Sequence, residues 1–143
     1  MTNSERARML ALSTSNVSDA IDALGLHVGA TCGIHAVWEG CPRIVGEAVT
    51  VRIGPTGETP APSTHLCAEA IAACKEGDVI VVANGGDVNT SSWGGLLSNG
   101  ARAKGAAGVV VDGAARDIDE IADSKFPVFA KSRVVRTSRG RIM

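Results

Sequence analysis

Aromatic side chains are almost missing from this chain: 3% of 143 residues, with two Trp, two Phe and no Tyr. That leaves no stacking platform for single-stranded nucleic acid. A formal net charge of −1 likewise lacks the overall basic footprint of a nucleic-acid binder. No run approaches the ~18 apolar residues that would cross a membrane, and the opening MTNSERARML lacks the apolar stretch of a secretory leader. The expectation is a cytoplasmic protein without membrane contact. The four cysteines, Cys32, Cys41, Cys67 and Cys74, include no C-x2-C pair, so they form no zinc pattern. Cys67 and Cys74 lie on one face of a helical pattern and read as small buried hydrophobes. No G-x-S-x-G, P-loop or dinucleotide fingerprint occurs. Lys104 and Lys131 lack the apolar surroundings expected of a Schiff-base lysine.

What the chain does have is material for a packed α/β domain. Apolar residues are 45% and charged residues 20%, the balance of a folded protein, and the length suits one core. We read residues 1–143 as a single domain. Residues 4–12 have helix-forming composition. Residues 15–24 read as a second helix, with Ser18 or Asn16 as cap, Val17, Ala20, Ile21 and Leu24 on one stripe, and Gly25 as its stop. Residues 26–44 read as loop, 45–53 as a half-buried strand, and the Pro-rich stretch 54–62 as loop. An Ala-rich helix over 64–75, capped by Ser63 or Thr64, precedes an all-apolar strand over 79–83. Then come a loop over 84–92, a helix from about 93 to 104, a strand over 109–112, a helix over 117–124 and a strand over 126–129. The order α-α-β-α-β-α-β-α-β is that of a layered α/β fold.

The chemistry concentrates between Gly85 and Asp117. Ser91 or Ser92 can cap a helix whose first residues are Gly94, Gly95, Leu96 and Leu97. Two glycines let a ligand approach the backbone, and unpaired amides at a helix start hold carboxylate or phosphate. The same glycines could serve only to pack helix on strand. Further on, the strand Val109-Val110-Val111 carries Arg116 and Asp117 to the carboxyl edge of a sheet, where open α/β folds place ligands. Arg116 offers a guanidinium fork for anionic oxygens and Asp117 an oxygen ligand for a hard cation. Asp117 followed by Glu120 is equally a capping-box arrangement. Asp112 reads as a turn residue close enough to assist Arg116. His27, His35 and His65 have no partners at ligand spacing. Five basic residues from Lys131 to Arg141 (Lys131, Arg133, Arg136, Arg139, Arg141) read as a solvated or interface-lining tail.

Six segments together, VSDAID (17–22), VGEAVTV (45–51), GDVIVV (77–82), WGGLL (93–97), Gly105 to Asp117, and FPVF (126–129), resemble the RraA-like family. That family includes the regulator of ribonuclease E activity and divalent-metal-dependent aldolases of 4-hydroxy-4-methyl-2-oxoglutarate. The resemblance implies an α/β fold of the swivelling β/β/α type, built into homotrimers or dimers of trimers with sites between subunits. It implies that the amides of Gly94, Gly95, Leu96 and Leu97 hold a pyruvate carboxylate, that Arg116 is catalytic and contacts the pyruvyl oxygens, and that Asp117 ligates Mg2+ or Mn2+.

The activity so implied is that of a lyase on small 2-oxo acids, a 4-hydroxy-4-methyl-2-oxoglutarate aldolase or oxaloacetate decarboxylase working through a metal-stabilised pyruvate enolate. The other branch implies a non-catalytic regulator that binds a ribonuclease or another protein. The chain departs from the aldolases at Gly95, where they carry an Asp that organises metal-bound water; Asp87 stands upstream in the same loop as a substitute. Relatives also continue beyond the position of Met143 with further strands, which the resemblance therefore places outside this chain.

Overall fold

The computed structural model describes residues 1–27, 29–54 and 65–138. Its elements are α1 (Asn3–Leu10), α2 (Thr14–Ala23), β1 (His35–Ala36), β2 (Ala48–Arg52), α3 (Leu66–Ala73), β3 (Val79–Trp93), α4 (Gly95–Ala103), β4 (Gly108–Ala115), α5 (Ile118–Asp123) and β5 (Val128–Arg133). They form a mixed α/β domain around one five-stranded sheet of order β1-β5-β4-β3-β2. Strands β2 to β5 run parallel, and β1 is antiparallel to β5.

The topology follows from the sequence alternation. Each parallel pair needs a crossover, and α3, α4 and α5 supply them. Such crossovers keep one hand, and the strands are laid down in order across the sheet. All three steps therefore go the same way, which puts the three helices side by side on one face. Helix α4 sits between its neighbours, touching both α3 and α5. Beneath them the strands bury every second residue: Ile80 and Val82, Val109 and Val111, Val128 and Ala130. Cys67, Ala70, Ala101 and Ile121 close this core from the helix side, with Trp93 and Phe126 as its largest fully buried side chains. Helices α1 and α2 bury no residue.

Several sequence expectations need correction. Loop 26–44 contains β1, too short to give a periodic signal. Ser13, not Ser18 or Asn16, caps α2 by accepting from the amide of Asn16. The strand expected over 79–83 continues to Trp93, and the expected loop 84–92 is part of it. Bulges between Ala83 and Asp87, Asp87 and Ser91, and Ser91 and Trp93 keep the segment paired with β4 while breaking its alternation. Gly85 and Gly86, at φ 57° and 75°, adopt there a backbone that only glycine takes without strain. Strand β5 begins after Pro127, which has no amide to donate, and runs past the expected 129 to Arg133 because Ser132 and Arg133 pair with Ala114 and Ala115. Ser63, Thr64, Arg139 and Arg141 lie outside the described residues.

Candidate functional site

Two consecutive crossovers, β3 to α4 and β4 to α5, leave the sheet at the carboxyl ends of neighbouring strands. Trp93 pairs with Ala115, and the amide of Arg116 donates to the carbonyl of Trp93 at 3.0 Å. The turn Trp93-Gly94-Gly95 is thereby set against Ala115-Arg116-Asp117. The structure thus brings together Gly94, Gly95, Leu96 and Leu97 with Arg116 and Asp117, all the residues expected at the site.

The turn itself is held from below. The buried indole N–H of Trp93 donates to Ser98 Oγ at 2.9 Å, and Ser98 Oγ donates to the carbonyl of Gly94 at 3.1 Å. Gly94 is the N-cap of α4 and provides no capping side chain. The serine cap expected from Ser91 or Ser92 is not formed, since both are buried in β3. The cap comes instead from across the sheet edge: Asp117 Oδ2 accepts from the amide of Gly95 at 3.1 Å. One of the four amides expected to face a ligand is therefore occupied, while those of Leu96 and Leu97 have no partner within the helix.

Asp117 is the N-cap residue of α5, yet it makes no side-chain cap there. Its φ of 56° is the left-handed conformation that Asp and Asn tolerate best after glycine. This backbone turns the carboxylate away from α5 and onto α4, which excludes the capping-box reading. The Nε of Arg116 lies 3.4 Å from the same Oδ2, with both side chains more than a third exposed. Solvent screening makes such a pair weak, so the guanidinium is available to a ligand.

Glycine at 94 and 95 is required by what presses against it. A Cβ on Gly94 would lie 2.7 Å from Asp117 Oδ2. A Cβ on Gly95 would collide with both carboxylate oxygens of Glu120, the farther at 2.7 Å. Glu120 Oε1 also accepts from Nδ2 of Asn99 at 2.9 Å. The Glu120 carboxylate, arriving from α5, thus fills the space that a side chain at position 95 would take. Asp87, which the sequence offers as a substitute, lies in β3, and its Oδ1 accepts from the amide of Asn89 at 2.8 Å. Glu120 was absent from the expected site because it fitted a capping box. The available signal was its position three residues after Asp117, one turn along α5.

The other candidates fall away on geometry. Asp112 is not a turn residue assisting Arg116: it lies in β4 and pairs with Lys131 at 2.5 Å. Cys67 is buried, its Sγ donates to the carbonyl of Ser92 at 3.7 Å, and burial pushes its thiol up to about 11. A thiol held protonated is a poor nucleophile. Among the described residues no three His, Cys, Asp or Glu side chains come together as a metal cluster. No helix of the described residues is long and apolar enough to cross a membrane.

Comparison with known proteins bears on the family and the fold. The sequence pattern of a family described as RraA-like, Aldolase/RraA, matches residues 14–142. The chain is 32% identical over 126 residues to a putative 4-hydroxy-4-methyl-2-oxoglutarate aldolase of Halalkalibacterium halodurans, covering 88% of this chain and 55% of that protein. Its structure superposes on that of an uncharacterized protein from Pseudomonas syringae pv. tomato with a TM-score of 0.84 and 31% identity, over 100% of this chain and 64% of the other. It superposes on the RNA-processing inhibitor RraA of Thermus thermophilis with a TM-score of 0.70 and 25% identity, over 88% and 70%. The chain spans 22%, 46% and 55% of the length of three curated relatives that it matches.

Proposed function

The chain belongs to the RraA-like family, and on that footing we propose that it is a divalent-metal-dependent lyase of pyruvate-type 2-oxo acids. Its activity would be that of a 4-hydroxy-4-methyl-2-oxoglutarate aldolase, an oxaloacetate decarboxylase, or both. The observation that carries this reading is the convergence of two carboxylates, Asp117 and Glu120, on the side-chain-free backbone of Gly94 and Gly95, with the Arg116 guanidinium beside them. The donor set fits the cation. It is all oxygen and has few protein ligands, as suits Mg2+ or Mn2+, which keeps several of its waters, and it lacks the Cys and His of a zinc site. Asp117 would hold the metal with Glu120 next to it.

Bound there, the metal would supply Lewis-acid stabilisation of the negative charge that grows on the 2-oxo oxygen when the carbon–carbon bond breaks. The chain's own part is binding and electrostatics. The amides of Leu96 and Leu97, at the positive end of α4, suit the substrate carboxylate. Arg116 suits the 2-oxo oxygen, where its charge counts most as the oxygen becomes anionic. Asp117 does double duty, since the oxygen that caps Gly95 also fixes the carboxylate's orientation. Subunit assembly as homotrimers or dimers of trimers belongs to the same reading, with the site at the surface facing a neighbour.

Pyruvate release from oxaloacetate and from 4-hydroxy-4-methyl-2-oxoglutarate, followed through lactate dehydrogenase, tests this. Turnover should require added Mg2+ or Mn2+ and stop with EDTA. Pyruvate formation that persists in EDTA and is trapped by borohydride would replace the metal by a lysine Schiff base. One observation favours the other reading, a non-catalytic protein that binds a ribonuclease or another protein: Leu96, at the mouth of the site, is 82% exposed, an apolar side chain suited to a protein surface. Absence of turnover on both substrates with metal present, together with a folded chain, would favour it.

A further inference from the structure

Glu120 must cross from α5 to α4 to reach the site, and a glutamate on a helix surface has several rotamers to choose from. Two features of α4 select one of them. Gly95, having no Cβ, leaves the space that the carboxylate fills. Asn99 holds the other end, its Nδ2 donating to Oε1 at 2.9 Å. A carboxylate only accepts, so it is the NH2 end of the amide that faces it. Gly95 and Asn99 are four residues apart and therefore share one face of the helix, one turn apart. The pattern Gly-x-x-x-Asn is a two-point seat for one carboxylate.

The choice of residue is informative. Asn99 is exposed and lies inside α4, where asparagine is among the weaker helix formers. Helix stability does not account for it. A lysine or arginine could also grip Glu120, but it would neutralise the charge. A neutral amide orients the carboxylate and leaves its charge available to a cation. We propose that Asn99 is a positioning residue that holds Glu120 over Gly95 so that its carboxylate faces the divalent cation. This inference rests on the reading of Asp117 and Glu120 as the acidic groups of a Mg2+ or Mn2+ site.

The test is titration of the full chain with Mn2+ alone, following free aquo-Mn2+ by electron paramagnetic resonance, beside thermal unfolding of each variant. Asn99→Ala should bind Mn2+ about tenfold more weakly, the size of effect seen when an outer partner of a metal ligand is removed. It should still fold, because alanine favours the helix. Asn99→Gln, which keeps the donor on a longer arm, should recover part of the loss. In a Glu120→Gln background, Asn99→Ala should change nothing further, since its effect passes through Glu120. A general weakening of the α4–α5 contact would instead add to Glu120→Gln. Wild-type Mn2+ affinity in Asn99→Ala, or additive effects in the double variant, overturns the role of Asn99 while leaving the metal site standing. A wild-type chain whose Mn2+ binding is indifferent to Asp117→Asn overturns the metal site itself, and Asn99 with it.

Discussion

Replacing Gly95 by Ala isolates one physical claim, that glycine is there to make room for a carboxylate. Gly95 is the first residue of α4, and its φ is not among the positive values, so an alanine backbone is unstrained. On its own, the change should help the helix by up to ~1 kcal/mol. The added Cβ, however, meets both oxygens of Glu120. The farther one alone must retreat from 2.7 Å to at least the 3.4 Å of ordinary contact, and the nearer one by more. Glu120 sits at the end of a flexible, exposed side chain, so it can swing away at little cost to the fold. The expected signature is therefore a split: a Tm unchanged or slightly raised, and a Mn2+ affinity reduced about tenfold, or about 1.4 kcal/mol. Both are read from one preparation, by thermal unfolding and by Mn2+ titration. Gly95→Asp alone should do the same or worse, because two carboxylates would compete for one space. Gly95→Asp combined with Glu120→Ala should recover most of the affinity, since the acid then arrives from α4 instead of α5. If Gly95→Ala binds Mn2+ as the wild type does, the seat has no function and the reasoning fails.

Three further outcomes follow from the same geometry. Asp117→Asn keeps both the left-handed backbone and an oxygen for the Gly95 amide, so it should fold like the wild type while losing Mn2+ binding and turnover; Asp117→Ala should in addition lose ~1–2 kcal/mol in urea unfolding from αL strain and ~1 kcal/mol from the lost cap. Retained turnover in Asp117→Asn would reduce Asp117 to a cap. Ser98→Ala leaves the buried Trp93 indole N–H without its partner, which should cost ~1–3 kcal/mol of stability and shift the emission of Trp93 in a Trp38→Phe background; an unchanged midpoint and spectrum would remove this network from the account. For Cys67, burial raises the thiol from 9.0 to about 11, so its contribution to stability is whole below pH 9 and is lost as the pH rises toward 11. Relative to Cys67→Ala, the wild type should lose about 1.4 kcal/mol between pH 8 and pH 10, and parallel pH profiles in urea would show that the thiol is not shielded.

The fold was legible because its signals are local. The all-apolar strand from Val79, the Val109–Val111 run and the stripe in residues 15–24 each carry their period or their apolar length in a few adjacent residues. The boundaries were not legible where tertiary pairing outweighs local preference. Asn84-Gly85-Gly86-Asp87 looks like a turn, and Gly85 and Gly86 do take positive φ, yet β4 keeps the segment paired through three bulges. Ser91 and Ser92 look like caps, but they are buried between strands. Phe126-Pro127 looked like the start of β5, which begins only after the proline.

The site divides along the same line, and the division explains which residues were found. Arg116 and Asp117 were visible because they directly follow a strand, and Gly94 and Gly95 because they open a helix. What could not be seen is the contact between residues 25 apart, Gly95 and Glu120, since it depends on α4 and α5 lying side by side. Local rules assigned Glu120 to a capping box with Asp117. That assignment requires Asp117 in an extended backbone at the start of α5, whereas its φ of 56° sends the carboxylate to the neighbouring helix and frees Glu120 to follow. One left-handed residue thus turns two carboxylates from capping their own helix to facing the next one. The substitution that would most directly undo this geometry while keeping every functional group is Ile118→Pro: proline disfavours the α regions for the residue before it and should push Asp117 toward an extended backbone. We expect α5 to survive, because proline is accepted at a first helical position, and we expect the Gly95 cap and Mn2+ binding to be lost together. A variant that loses neither would show that the direction of Asp117 does not depend on its backbone.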